Sequence, residues 1–465
     1  MRGMTRMKMH KLFPAAFSLA AGALPAFAAA TAPQKPNIIF ILADDLGIGD
    51  VSCYGADNRK TPNIDKLAQK GLRFTHAYTA PLCGPSRACI MTGRYAFRTG
   101  ATNQDRVTLW KSTHEVLTAA YLKPAGYVTS IIGKWSQFTF DPSEAGFDDS
   151  LRFKGSGCYW GPDGDDDQKS KKDVYYLNGK TVKQGKTEYM PDLMQTHLFE
   201  FITKHRAEPF YIYYSMSHVH GEIVRTPDSA PGGDKESLYV DNCTYMDKLV
   251  GNLVDELERQ KLSENTILIF VGDNGTAKTP SARSTIGGKR LIGEKGTMLE
   301  GGALVPLIVY WPGVTPKGKV SDDLTDSTDF LPTLAEIAGV QLPKDKVFDG
   351  RSLVPQLRGE KGTPRDWIFI ELAKNWYVRE ASWKLNQSNE LFNMSGAPFE
   401  EILVPADKES PEAAAARQRL QAVLTQLDPA GGIMDDGDGS GRHANKAEKK
   451  AKASSAKKSP KTETE

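Results

Sequence analysis

Residues 81–94 read PLCGPSRACIMTGR, with a cysteine two residues before a proline and an arginine four residues on. Pro85 suits the first position of a helix, which leaves Cys83 just before it, where free backbone N–H groups favour anions. Arg87, one turn further, can bring a forked cation to the same spot. The pattern describes a site for a tetrahedral oxyanion, with Cys83 presented, exposed, as its reactive group. Two other pairs could hold a metal. Asp44 with Asp45, and Asp273 with Asn274, offer oxygen donors only, which suits calcium or magnesium and not zinc.

Those residues need a scaffold, and the sequence supplies one. NIIFILA (37–43) is an unbroken apolar run, the mark of a strand buried on both faces, and it stops at Asp44. YVTSIIG (127–133) stops at Lys134, FYIYYS (210–215) before His218 and His220, and TILIFVG (266–272) at Asp273. LVPLIVYW (304–311) is a further run. Helical periodicity lies between them: 113–122 behind a Thr113 cap, and 236–261 with Tyr239, Met246, Leu249, Leu253 and Leu257 on one face. Alternating strands and helices predict an α/β fold, a large mainly parallel sheet sandwiched by helices, with polar clusters at the strands' carboxyl ends where ligands collect. From about Phe348 the alternation weakens. DWIFIEL (366–372), SWKLN (382–386) and an Ala-rich helix at 411–427 predict a smaller C-terminal α+β domain.

Composition narrows the function. The chain has 465 residues, 40% hydrophobic and 25% charged, an ordinary globular balance. The net charge of +2 divides into +4 on residues 1–11, +4 on the tail from Ala444 and −6 on the body between, which argues against nucleic acid as a partner. Basic residues before an apolar run that ends at Ala26-Phe27-Ala28 read as a signal peptide over 1–28, hence export to the periplasm or medium without stable membrane insertion. The expected organisation is a catalytic domain over 33–345, the small domain over 346–430 and a disordered Lys-rich tail over 431–465. The five cysteines (53, 83, 89, 158, 243) lack the spacing of a disulfide framework or a zinc site, and their odd number leaves at least one unpaired, with Cys83 the candidate and the other four open to pairing or to staying reduced.

Cys83-Gly84-Pro85-Ser86-Arg87, followed by Thr92-Gly93-Arg94, resembles the signature of the formylglycine-dependent (type I) sulfatases, arylsulfatase-like members of the alkaline phosphatase superfamily. The likeness continues through PNIIFILADDLG, TPNIDKLAQKG, GYVTSIIGKW, TILIFVGDNG and EKGTMLEGGALVP, from residue 36 to about 312. The resemblance implies that a separate maturation enzyme oxidises Cys83 to formylglycine (3-oxoalanine). It also implies that Asp44, Asp45, Asp273 and Asn274 hold Ca2+, or Mg2+, with the modified Cys83 close to the ion. The hydrated aldehyde then attacks sulfur, Arg87 and Lys134 offset charge on the sulfuryl oxygens, and His220, assisted by Lys295, protonates the leaving alcohol; His218 is a second candidate. The second hydroxyl expels sulfate.

One position departs from the pattern. After Gly133-Lys134-Trp135 the family usually has histidine, and this chain has Ser136, so the elimination is expected to slow, or Gln137, His218 or water to substitute. The expected activity is hydrolysis of an aryl or carbohydrate sulfate. Phosphodiester or phosphonate monoester hydrolysis on the same site, and a sulfoglycan-binding pseudoenzyme, are the competing readings. Tyr159, Trp160 and Asp165-Asp166-Asp167, within 152–190, read as an insertion over the pocket. Arg283, Lys289 and Arg290 are candidates for further anionic groups of a polysaccharide.

Overall fold

The structure, a computed structural model, describes residues 35–135, 138–163 and 174–443. The leader pattern at 1–28, Ser136, Gln137, Asp165 to Asp167 and the lysine tail from 444 lie outside the described residues.

The apolar runs become the centre of the molecule. The first eight strands are β1 (Asn37–Ala43), β2 (Leu72–Tyr78), β3 (Val128–Lys134), β4 (Asp149–Phe153), β5 (Val174–Leu177), β6 (Lys180–Lys183), β7 (Phe210–Ser215) and β8 (Thr266–Gly272). A short hairpin, β9 (Thr285–Ile286) and β10 (Lys289–Arg290), stands apart, and β11 (Leu307–Tyr310) and β12 (Lys319–Asp326) return to the main sheet. Its ten strands run in the order β12-β2-β11-β8-β1-β7-β3-β4-β5-β6. The central four are parallel, in the register Ala43↔Gly272, Leu42↔Ser215 and Gly133↔Ser215. β11 is antiparallel to both its neighbours.

The unbroken runs have a simple cause. Ile39, Ile41 and Ala43 point into one core with helices Pro62–Lys70, Met190–Lys204 and Lys235–Arg259. Ile38, Phe40 and Leu42 point into another with helices Cys83–Thr92, Thr118–Leu122 and Phe330–Ala338. With both faces covered, period-two alternation has no polar side to show. β13 (Ile368–Leu372), β14 (Asn375–Arg379), β15 (Trp383–Asn386), β16 (Leu391–Asn393) and β17 (Ile402–Val404) form a separate antiparallel sheet, backed by helix Pro411–Leu427.

Several expectations need correction. The helix expected at 113–122 begins only at Thr118, with Leu117 rather than Thr113 at its cap. Glu115 is instead spent on ion pairs with Arg94 and Lys346, and Val116 is exposed. The stretch 432–443 is not loose: Ile433 N–H bonds Phe97 O, and buried Asp435 accepts from Thr102 and Asn103. All five cysteines are free thiols.

Candidate active site

Four neighbouring strands deliver their carboxyl ends to one edge, which is why residues far apart in sequence meet. β1 ends at Asp44 and Asp45, β8 at Asp273 and Asn274, β3 at Lys134, and β7 leads through Ser215 to His220. Lys134 is presented by a tight approach: Gly133 has φ 107, and a Cβ there would lie 1.9 Å from Ser215 O, so only glycine fits. Lys295 arrives from a loop tied back by Lys295 N–H to Thr276 O (2.9 Å) and Gly296 N–H to Pro81 O (2.7 Å).

Cys83 opens its helix rather than preceding it, so Pro85 is the third helical residue and not the first. Its side chain is not exposed either, being 1% accessible with Sγ 3.8 Å from Asp45 Oδ1. Gly84 N–H, one of the free donors at that helix end, is taken by Gln104 Oε1 at 2.8 Å.

The charges interlock. Arg87 donates from Nε to Asp273 Oδ2 at 2.9 Å and from Nη1 to Ser215 Oγ, and its Nη2 is ion-paired with the same Asp273 oxygen at 2.8 Å. Lys134 Nζ lies 2.7 Å from Asp44 Oδ2, and Lys295 Nζ pairs with Asp45 Oδ1. Asn274 Nδ2 donates to Asp45 Oδ1 at 3.0 Å. Asp45 itself sits in the left-handed region (φ 62), held there by its N–H bond to Asp273 Oδ1 at 2.9 Å. A non-glycine residue in that conformation at a charged cluster marks local strain kept for use.

Burial would raise every carboxyl here, and neighbouring cations decide the outcome. For Asp44, Lys134, His220 and Arg87 outweigh burial and hold it below the ordinary range. Lys295 and His220 do the same for Asp45. Asp273 goes up, because burial is reinforced by Asp44. Burial pushes the Cys83 thiol up to about 12 despite Lys134 and Lys295, so it is protonated at neutral pH.

The two histidines separate. His220 is partly exposed, with Nε2 3.9 Å from Asp45 Oδ2 and Nδ1 3.0 Å from Gly221 O. A proton on Nδ1 donated to that carbonyl leaves Nε2 turned to the cluster. His218 is buried among Tyr159, Tyr189 and Tyr245, shares a 3.0 Å hydrogen bond with Tyr189 and is pushed down to about 3 by burial. It serves the site through its backbone, its carbonyl accepting Asp44 N–H at 2.8 Å. Tyr159 likewise lies beneath the His220 loop and does not cover the pocket: its hydroxyl is 2.8 Å from Ser217 O and 2.9 Å from His220 O. Trp160 Nε1 donates to Arg225 O at 2.6 Å.

The donor set fits a hard divalent cation. Asp44 Oδ1 and Asn274 Oδ1 are buried with no hydrogen-bond partner among the described residues. Ligand atoms of Asp44, Asp45, Cys83 and His220 lie within 4.8 Å of one another. Orphaned buried oxygens carry a desolvation cost that a cation would offset. Ser215 and Gln104 were not foreseen; a serine closing a buried strand gives no sign that an arginine from another element will seek it.

A charged cluster at the carboxyl edge of a helix-covered, mainly parallel sheet is an arrangement shared with the alkaline-phosphatase-like superfamily, to which the structural neighbours belong. Residues 36–340 match the family described as Sulfatase, and the chain belongs to that family, a sulfuric ester hydrolase. It is 30% identical over 457 residues to human Arylsulfatase D, covering 78% of this chain and 76% of that protein. It is 33% identical over 368 residues to the N-acetylgalactosamine-6-sulfatase of Canis lupus familiaris, covering 73% and 69%. The solved structure of Ps i-CgsB in complex with k-i-k-neocarrahexaose superposes with a TM-score of 0.75 at 27% identity, over 91% of this chain and 98% of its own.

Proposed function

We propose that the chain hydrolyses a carbohydrate sulfate, using a formylglycine made from Cys83 by a maturation enzyme and a divalent cation, calcium in preference to magnesium. One observation carries the reading: Cys83 Sγ lies 3.8 Å from Asp45 Oδ1 in a buried cluster whose Asp44 Oδ1 and Asn274 Oδ1 have no hydrogen-bond partner among the described residues, the place where a cation and a modified side chain would meet. The carbohydrate class is favoured by the N-acetylgalactosamine-6-sulfatase relative and by the neocarrahexaose complex of the structural neighbour.

Asp44, Asp45, Asp273 and Asn274 would hold the cation, which supplies positive charge toward a sulfuryl oxygen and acidifies a neighbouring hydroxyl. A formylglycine at position 83, when hydrated, would supply the hydroxyl chemistry for attack on sulfur and release of sulfate. The chain does the rest. Arg87 is locked by Asp273 and Ser215, so its guanidinium needs no reorganisation to face an anion. Lys134 and Lys295 bring their ammonium groups to the same cluster. His220 Nε2 is placed to carry the proton the leaving oxygen takes, and an entering sulfate ester raises its affinity for that proton.

Export remains part of this reading, on the leader pattern at 1–28. Among the described residues no helix is long and apolar enough to cross a membrane. The deciding experiment is the mass of the Cys83 peptide from chain made in its native host, together with the metal content of the same sample. Loss of ~18 Da relative to cysteine, with hydrolysis abolished by a chelator and restored by Ca2+, is expected. An intact thiol in fully active protein would overturn the proposal.

A further inference from the structure

A cleft of about 910 Å³ opens beside the site, bounded by residues 219–223, 234–239 and 277–283. Val219 and Gly221 flank His220, and Ala277 follows Thr276, whose carbonyl holds the Lys295 backbone. The cleft therefore shares walls with the groups around Cys83, and its volume suits a sugar residue or two rather than a bare sulfate.

Its charges are unevenly spent. Asp234 accepts from Ser237 N–H at 2.8 Å and from the Ser237 hydroxyl, and Glu236 is paired with Arg59 at 2.9 Å. Among the described residues Lys235, Lys278 and Arg283 make no ion pair. The Asp234 carboxyl is held down by its Ser237 hydrogen bonds and, more weakly, by nearby Arg283, and Glu222 at the rim is the other unpaired acid, so three cations face two carboxylates. Positive charge is left over where the cleft meets solvent.

The walls are also fixed in place. Buried Asp50 accepts from Thr276 (2.5 Å) and Ser284 (2.5 Å) on one side and from Tyr239 (3.0 Å) on the other, with Arg59 Nε at 3.4 Å joining it to Glu236. One carboxylate thus stitches the 276–284 wall to the 236–239 wall, so Lys278 and Arg283 stand on a pre-set frame.

We propose that this cleft is a second anion-recognising subsite, in which Lys278 and Arg283 bind a sulfate or carboxylate on the sugar next to the one being desulfated. The inference rests on the carbohydrate-sulfatase reading and adds a substrate class to it: oligosaccharides bearing a second anionic group. Of the basic residues singled out in the sequence, Arg283 lines the cleft, whereas Lys289 and Arg290 on the β10 strand do not.

The test compares kcat/KM for three oligosaccharides sharing one scissile sulfate: neutral neighbour, sulfated neighbour and uronate neighbour. 4-Nitrophenyl sulfate serves as a common reference. In the wild-type enzyme the two dianionic substrates are preferred, and the preference weakens with salt. Lys278→Ala with Arg283→Ala lowers the dianionic-to-neutral ratio about tenfold, through KM, and Lys278→Arg with Arg283→Lys restores it. The two charged arms tell whether sulfate or carboxylate is read. A wild-type ratio near one, or variants that slow all substrates in proportion, overturns the subsite while leaving the sulfatase reading intact. Failure of matured wild type on 4-nitrophenyl sulfate and on every oligosaccharide would overturn both.

Discussion

Two buried charge clusters invite comparison. The first surrounds Cys83. The second lies where the small sheet meets the loop that carries Lys295. There Arg379 Nη1 reaches both oxygens of Glu300 at 2.7 Å, and Tyr78 donates to Glu300 at 2.9 Å. Lys384 Nζ donates to Glu401 at 2.6 Å and to Met298 O at 2.7 Å, and the other Glu401 oxygen accepts Glu300 N–H at 3.2 Å. Every carboxylate oxygen in this second cluster has a partner. At the first, Asp44 Oδ1 and Asn274 Oδ1 have none. In the second cluster the atoms left without a partner among the described residues are Arg379 Nε and the Tyr377 hydroxyl, whereas the first leaves carboxylate and amide oxygens open, the atoms a hard cation takes.

The sharpest way to break that distinction is to alter one group in each. Cys83→Ala is expected to remove sulfate-ester hydrolysis by at least about a thousandfold, since the reacting group itself is lost. Its unfolding midpoint should stay within a few degrees of wild type, because one buried thiol contributes little to the core. Steady-state kinetics and thermal unfolding on the same sample check both halves. Retained hydrolysis would mean the cluster works by other means.

Arg379→Leu should do the reverse. It strands the Glu300 carboxylate without its cation, and breaking one side of a buried pair costs about 3–5 kcal/mol. Urea unfolding measures this, with a lower midpoint expected. Because Glu300 and Met298 belong to the loop that presents Lys295, residual activity in folded protein should also fall, but by far less than for Cys83→Ala. A loss of activity as deep as that of Cys83→Ala, with stability intact, would make the second cluster catalytic and erase the contrast.

Much of this contrast was readable in advance, but unevenly. β1, β7 and β8 begin and end where their apolar runs do, because burial on both faces leaves no room for polar residues inside and the chain turns polar where the sheet ends. The same logic placed Asp44, Asp45, Asp273, Asn274 and Lys134 at one edge, while Cys83 was expected just before a helix. What escaped was set by partners distant in sequence. Segment 432–443 reads as disordered because it has few apolar residues, yet it is held by polar bonds to residues 97–106, some 330 positions away. The helix starts only at Thr118, and Glu115 just ahead of it pairs with Arg94 and Lys346, partners that no local pattern reveals. The seam itself, Glu300 to Arg379, pairs a glycine-rich loop with a strand whose charges look like ordinary surface residues.

A smaller effect tests whether a buried carboxyl can remain structural without a cation. Glu371, on β13, accepts Phe97 N–H at 2.8 Å, and burial, aided by nearby Asp435, pushes it up to about 8. Unfolded, it returns to the ordinary carboxyl value, so between roughly pH 4.5 and pH 8 the native state binds the extra proton. The stabilisation is complete below the unfolded value and is lost as pH rises through the folded one. Glu371→Gln keeps the hydrogen-bond acceptor and removes the titration, so its stability relative to wild type should rise by about 3–4 kcal/mol between pH 5 and pH 8. Denaturant unfolding of both proteins at the two pH values gives the difference directly. A constant difference would show that Glu371 has the same charge in the fold at both, and would sink the reading of it as a neutral structural carboxyl.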